Sequence, residues 1–230
     1  MAVEPVRTGI VGCGNICGIY LKNCKAMEVL DLVACADIVM DRAEAAAKEH
    51  GIEARSVEDL LADPRIELIV NLTVPKAHAE VDLAAIAAGK SAYQEKPLAV
   101  TREDGRKVLE AASKAGVLVG GAPDTFMGAG IQTCRKLIDD GAIGRPVAAS
   151  AFMLCGGHES WHPDPEFYYE PGGGPMLDMG PYYLTALVNL LGPVRRVTGS
   201  TQISFPSGRS RARRSTASGS PSRRRRTLPA

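Results

Sequence analysis

Short, nearly continuous apolar runs alternate along the first half of the chain with longer stretches whose apolar positions recur every three or four residues. VRTGIV (6–11), DLVACAD (31–37), ELIVNLTV (67–74), SAYQ (91–94) and VLVGG (117–121) are of the first kind and read as strands. Runs this continuous suit strands covered on both faces. The stretches between them read as helices. One leaves the glycine-rich turn GCGNICG. DRAEAAAKEH (41–50) is stopped by Gly51, and KAHAEVDLAAIAAGK (76–90) by Gly89. SVEDLLADP (56–64) has Ser56 as cap with Glu58 and Asp59 in its first turn, and Thr101 caps REDGRKVLEAASKAG. Strand and helix in alternation predict βαβ units and a parallel sheet. Residues 1–123 therefore read as one doubly wound α/β domain.

Beyond it the pattern changes. AGIQTCRKLIDDGAIG (129–144) reads as an amphipathic helix with Gly141 after its last turn. PVAASAFML (146–154) and VRRVTGSTQI (194–203) read as strands, with a helix ending near Leu191–Gly192 between them. Together they outline a second α/β unit over 124–206. Residues 155–174 form a long irregular loop holding the only Trp, two of the four His and the adjacent Tyr168 and Tyr169. Loops of that length in compact domains are usually functional or disordered, and this composition suits a ligand-facing loop. From Ser207 onward there is neither helical nor strand period and almost no large apolar residue. Such a segment cannot offset its ordering entropy, so disorder is expected over 207–230.

Composition adds little until charge is divided along the chain. Apolar content of 45% and charged content of 23% are ordinary for a globular protein. No run reaches 18 apolar residues, so no membrane span is expected. The N-terminus lacks the basic, apolar and small-residue sequence of a secretory signal, which points to the cytoplasm. The net charge of +1 is uneven: residues 207–230 hold eight Arg and no acid, leaving 19 of the 27 basic groups against all 26 acidic ones in the remainder. An Arg-rich arm could bind nucleic acid in a salt-dependent way. The acidic body and the lack of aromatic residues in the tail argue against that partner. The six cysteines form no CxxC pair, which argues against a zinc ribbon, and most are expected to be inert buried thiols. Cys13 and Cys17 are the exception, since exposure in a phosphate loop would make them oxidisable.

Gly12, Gly14 and the small Cys17 approximate GxGxx[G/A/S] between a strand and a helix. The first glycine permits a tight turn, and the second lets the backbone approach a pyrophosphate at the helix N-terminus. Asp37 ends the second strand, 23 residues past Gly14. There it would accept hydrogen bonds from ribose hydroxyls and repel a 2′-phosphate, favouring NAD over NADP as cofactor. A structural turn with a capping Asp is the alternative. Lys96 follows SAYQ, at the carboxyl edge where doubly wound sheets bind ligands. Pro97 fixes the local backbone, and a cis Lys–Pro bond would aim the side chain. The ammonium would stabilise negative charge on a substrate oxygen.

Asp178 and Tyr182 stand four apart in GGGPMLDMGPYYLTALVNLLG (172–192), on one helical face. That helix starts either at Pro175, with Pro181 kinking it, or at Asp178 as cap. Tyr182 beside Lys96 would have its pKa lowered and could shuttle a proton, with Asp178 positioning the substrate or Lys96. On spacing alone, a core helix with Tyr182 and Tyr183 as packing fits the stretch as well.

These residues resemble the Gfo/Idh/MocA oxidoreductases, the family of glucose–fructose oxidoreductase and inositol dehydrogenase. The matching segments are IVGCGNICGIYLKN, NLTVPKAHAEV, SAYQEKPLAV, APDTFMGAGIQTCRKLIDDGAIG and GGGPMLDMGPYYL. The resemblance implies an N-terminal Rossmann domain and a C-terminal α/β domain with an open antiparallel sheet. It also implies hydride transfer between nicotinamide and a sugar, cyclitol or related hydroxyl. Carried onto this chain, the catalytic roles fall on Lys96, Asp178 and Tyr182. Cofactor contacts fall on Gly12, Gly14, Asn15, Ile16, Asp37, Thr73, Pro75, His78, Glu95 and Lys96. Many members carry His at the position of Tyr182; a Tyr there is similar to the glucose–fructose oxidoreductase and dihydrodiol dehydrogenase branches. Thr185 stands where an Asp is common.

The likeness stops near Phe205–Pro206, whereas family members typically continue for over a hundred residues. Out-of-frame GC-rich codons yield Arg, Ala, Pro, Gly and Ser, so a reading-frame shift is expected, to be checked in the other frames of the DNA. The expected function is an NAD-dependent, or alternatively NADP-dependent, oxidoreductase acting on a small sugar or polyol, forming a homo-oligomer if its second domain is complete enough. The competing expectation is a truncated, non-catalytic nucleotide-binding remnant.

Overall fold

The structure is a computed structural model that describes residues 4–155, 158, 162 and 165–202. Six strands lie side by side in the order β3-β2-β1-β4-β5-β6, all parallel. They are β1 (Val6–Val11), β2 (Leu30–Ala36), β3 (Glu53–Arg55), β4 (Leu68–Asn71), β5 (Ser91–Gln94) and β6 (Val119–Gly121). The helices between them are α1 (Cys17–Ala26), α2 (Met40–His50), α3 (Val57–Ala62), α4 (His78–Ala87) and α5 (Arg102–Ala115). β3 is the one strand that periodicity does not reveal. Glu-Ala-Arg is too short and too polar, and pairing with β2 (Ala34 opposite Glu53) makes it a strand.

The caps follow local chemistry. The Ser56 hydroxyl accepts the Asp59 N–H at 3.0 Å, and the Thr101 hydroxyl accepts the Asp104 N–H at 3.0 Å. Gly51 and Gly116 end α2 and α5 in left-handed conformation. Apolar clusters form on both sides of the sheet. Ile10, Cys35 and Val70 pack with α1 and α2, while Val11, Ile69, Leu60 and Ala85 pack on the other side with α3 and α4. Strand order reverses between β1 and β4, so a crevice opens at their carboxyl ends. A second opening, about 1020 Å³, runs along one sheet face past Tyr20, Leu68, Tyr93 and Val119.

After β6 the regular elements of the described chain are α6 (Ala129–Asp139), α7 (Gly174–Asp178) and α8 (Gly180–Leu191), with short 3₁₀ segments at Asp124–Met127 and Pro165–Tyr169; another, Pro75–Ala77, precedes α4. The strands expected at 146–154 and 194–203 are a correction. Residues 146–155 and 193–202 carry no strand, and no antiparallel sheet forms among the described residues. A strand needs a ladder partner for its N–H and C=O groups and a surface for its apolar face. These segments have neither: Val147 is 92% exposed and Val197 81%. The expected disorder of 207–230, the last residue of the 194–203 run and Trp161 lie outside the described residues. Among the described residues no helix is long and apolar enough to cross a membrane.

Candidate functional site

The turn after β1 separates two kinds of glycine. Gly12 sits at φ +102°, and a Cβ there would lie 2.7 Å from the Leu72 carbonyl carbon just beyond β4. Neither the conformation nor the space admits a side chain. A Cβ on Gly14 would meet nothing within 4 Å. α1 follows with no side chain capping its first N–H groups, a geometry that fits an anionic phosphate. Asp37 braces this turn. Its carboxylate accepts the Cys13 N–H at 2.7 Å and the Val39 N–H at 2.8 Å. Asp37 is not among the residues that line the cleft beside this turn, whereas Arg42 is.

That cleft, about 470 Å³, collects most of the expected site. Gly14, Asn15 and Ile16 form one wall, and Thr73, Pro75 and His78 a second. Glu95, Lys96, Asp178 and Tyr182 close it. Gly12 and Asp37 support it from outside its lining. His78 is 1% exposed, and its ring bridges two loops: Nδ1 lies 2.8 Å from the Pro97 carbonyl and Nε2 2.9 Å from that of Thr73. Asn71 extends the brace, donating to the His78 carbonyl at 3.0 Å and to Asp82 Oδ1 at 2.8 Å. Its own amide oxygen receives the Thr73 hydroxyl at 2.7 Å. Burial pushes the Asp82 carboxyl up to about 6.

Lys96 lies at the carboxyl end of β5, and the Lys96–Pro97 peptide bond is cis, as the sequence suggested. Its ammonium donates to Asp178 Oδ1 at 2.6 Å. The other oxygen of Asp178 lies 3.3 Å from His158 Nε2, and the His158 ring stacks on Tyr168 with centroids 3.8 Å apart. Glu95 is held on both oxygens, by the Tyr20 phenol at 2.6 Å and by the Lys96 N–H at 3.1 Å.

The two possible helix starts near Asp178 resolve into neither. α7 ends at Asp178, Met179 is a one-residue interruption at φ −110°, ψ −26°, and α8 begins at Gly180 with Pro181 in its tolerated first turn. Asp178 caps nothing and is left to face Lys96. The expected lowering of the Tyr182 pKa is overturned. Burial, then the nearby Glu95, Asp124 and Asp178 carboxylates, push the phenol up to about 12. The physical reason is placement: the Lys96 ammonium lies over the ring, 5.3 Å from its centroid, and is already engaged by Asp178.

Sequence reasoning missed His158, Tyr20 and Arg42 as site residues. The unusual composition of the 155–174 loop pointed toward His158. Tyr20 carried no signal, because its partner Glu95 is 75 residues away. Among the described residues no cluster of His, Cys, Asp and Glu could hold a metal ion.

Comparison with known proteins agrees with the fold. Residues 6–121 match the model of the GFO/IDH/MocA oxidoreductase family described as an NAD-binding Rossmann fold, and residues 131–219 match that of the GFO/IDH/MocA C-terminal domain. A 1,5-anhydro-D-fructose reductase of Ensifer adhaerens is 34% identical over 178 residues, 75% of this chain and 53% of that protein. An inositol 2-dehydrogenase of Salmonella paratyphi B is 35% identical over 172 residues, 70% of this chain and 48% of that one. A crystal structure of an NAD binding oxidoreductase from Klebsiella pneumoniae superposes with a TM-score of 0.75 at 25% identity, covering 89% of this chain and 58% of that one. The chain thus spans about half the length of the curated relatives it matches. With a glycine turn at the switch point of a parallel sheet and a Lys-Pro edge facing Asp178, the chain belongs to the Gfo/Idh/MocA oxidoreductase family.

Proposed function

We propose that the chain binds NAD in the 470 Å³ cleft and serves as the core of an oxidoreductase acting on a hydroxyl or carbonyl of a sugar or cyclitol. NAD, when bound, accepts or donates the hydride. The observation that carries the reading is the meeting of Lys96, Asp178 and Tyr182, distant in sequence, in the same cleft as the glycine turn. Asn15, Ile16, Thr73, Pro75 and His78 shape the dinucleotide side of that cleft, and Glu95 steadies the backbone at Lys96. The negative charge of Asp37, held beside the glycine turn by the Cys13 and Val39 N–H groups, disfavours a 2′-phosphate, hence NAD over NADP.

Asp178 orients the Lys96 ammonium, which stabilises negative charge on the substrate oxygen. Tyr182 holds its proton well above neutral pH, which suits it to donate to a carbonyl oxygen as that oxygen becomes a hydroxyl. Assembly into a homo-oligomer through the second domain belongs to the same reading.

The test is NADH titration by fluorescence, paired with turnover over a panel of sugars and cyclitols. Lys96→Met should keep dinucleotide binding and lose roughly 10²–10³ in kcat. Absence of NADH binding by the parent protein would overturn the reading. A second reading, nucleotide binding without turnover, is favoured by the unpaired segments 146–155 and 193–202, which build no sheet beside the cleft. Binding with no turnover on any member of the panel would select it.

A further inference from the structure

Tyr20 lies one turn into α1, the helix that leaves the glycine turn, and its half-buried side chain reaches the end of β5. There its phenol donates to Glu95 Oε1 at 2.6 Å, while Glu95 Oε2 accepts the Lys96 N–H at 3.1 Å. Both oxygens of Glu95 are thus engaged by groups other than the Lys96 ammonium. Among the described residues that ammonium is paired with Asp178, at 2.6 Å. Yet Glu95 is the chain neighbour of Lys96, and both line the same cleft. A carboxylate free to turn there would compete with Asp178 for the ammonium, and an ammonium shared between two carboxylates has less charge to offer a substrate oxygen. A phenol that donates to an ionised carboxylate makes a short, charge-assisted bond, stronger than a neutral one. Burial, then the bond to Glu95, push the Tyr20 phenol up, so it stays the donor. The same placement leaves the Glu95 charge near Tyr182, where it adds to burial, the larger cause, in keeping that phenol protonated.

We infer that Tyr20 is a positioning residue for Lys96: its hydroxyl holds the Glu95 carboxylate off the Lys96 ammonium and so reserves that ammonium for Asp178 and the substrate oxygen. Tyr20 is not among the residues that line the cleft, and it acts through Glu95. The hold on Glu95 stands on the hydrogen bonds alone; its value to catalysis rests on the proposed oxidoreductase reading.

The experiment uses the full chain and reads Lys96 directly. Reductive methylation with formaldehyde and cyanoborohydride labels a lysine through its free amine, and peptide mapping follows Lys96 against Lys48, which is exposed on α2. In Tyr20→Phe the released carboxylate should pair with the ammonium and slow Lys96 labelling roughly threefold to tenfold, while Lys48 keeps its rate. Tyr20→Leu repeats the test if the phenylalanine variant does not fold, and Tyr20→His, which keeps a ring N–H donor, should stay near the parent rate. On a Glu95→Gln background, Tyr20→Phe should slow Lys96 no further, since no carboxylate is left to release. Turnover gives the second readout. On a member of the sugar and cyclitol panel that the parent turns over, Tyr20→Phe should lower kcat roughly tenfold and shift KM for NADH by less than about twofold. Equal Lys96 labelling in the parent and Tyr20→Phe would overturn the inference, as would the same slowing with Glu95→Gln in place. Slowed labelling with kcat unchanged would overturn the catalytic role. A parent without turnover would overturn the oxidoreductase reading, and the labelling then decides the hold on Glu95 by itself.

Discussion

Gly12 and Gly14 share a motif and serve different ends. Gly12 lets two backbone segments pass at a distance no Cβ tolerates, whereas the space beyond Gly14 is open to a ligand. Alanine should separate the two roles. Gly12→Ala should lower stability by about 2–4 kcal/mol through strain and clash, read by denaturant unfolding. Gly14→Ala should unfold like the parent but bind NADH roughly tenfold more weakly. Equal stability losses in both variants would mean that the loop is purely structural. At this scale the sequence was informative where a residue acts through its own chemistry and position, as with Lys96 after β5. It was silent or misleading where the outcome depends on a neighbour brought from far away. Tyr182 was expected to lose its proton more easily beside Lys96. The fold instead puts the ammonium over the ring, with Asp178 already holding it.

Among elements, the joint between β4 and α4 shows how strand ends become a site. Asn71 ends β4 and ties itself to Asp82 on α4 and to Thr73 in the loop between them. Asp82 is fully buried, and its folded pKa of about 6 stands above the ordinary 3.8. Between those values the native state holds a proton that the unfolded chain has released. This contribution is therefore fully present below about pH 4 and lost as pH rises through about 6. It should amount to something on the order of 1–3 kcal/mol. Thermal midpoints measured from pH 4 to 7 should fall more steeply with rising pH in the parent than in Asp82→Asn. Parallel curves would show that Asp82 does not titrate in this window. Five of the six strands and the caps at Ser56 and Thr101 were legible, because each depends on residues adjacent in sequence. β3 was not, since only its neighbour makes it a strand.

For the whole molecule, the parallel half and the segment after β6 obey different constraints. Each βαβ unit finds its partner strand within the same stretch of chain, and the alternation alone implied the layer structure. Residues 146–154 and 194–203 have strand-like alternation, yet alternation specifies a face and not a neighbour. Without a ladder to join, the pattern is unspent, and Val147 and Val197 stay in solvent.

The long opening along the sheet, floored by Leu68, Tyr93 and Val119, has a thermal signature. Water already wets oily surface there in the native protein, so melting uncovers less of it anew. Calorimetry should therefore give a heat-capacity increment on melting toward the lower end of the usual range of about 12–15 cal/mol/K per residue. An increment at the upper end of that range would mean that the floor is dry in solution.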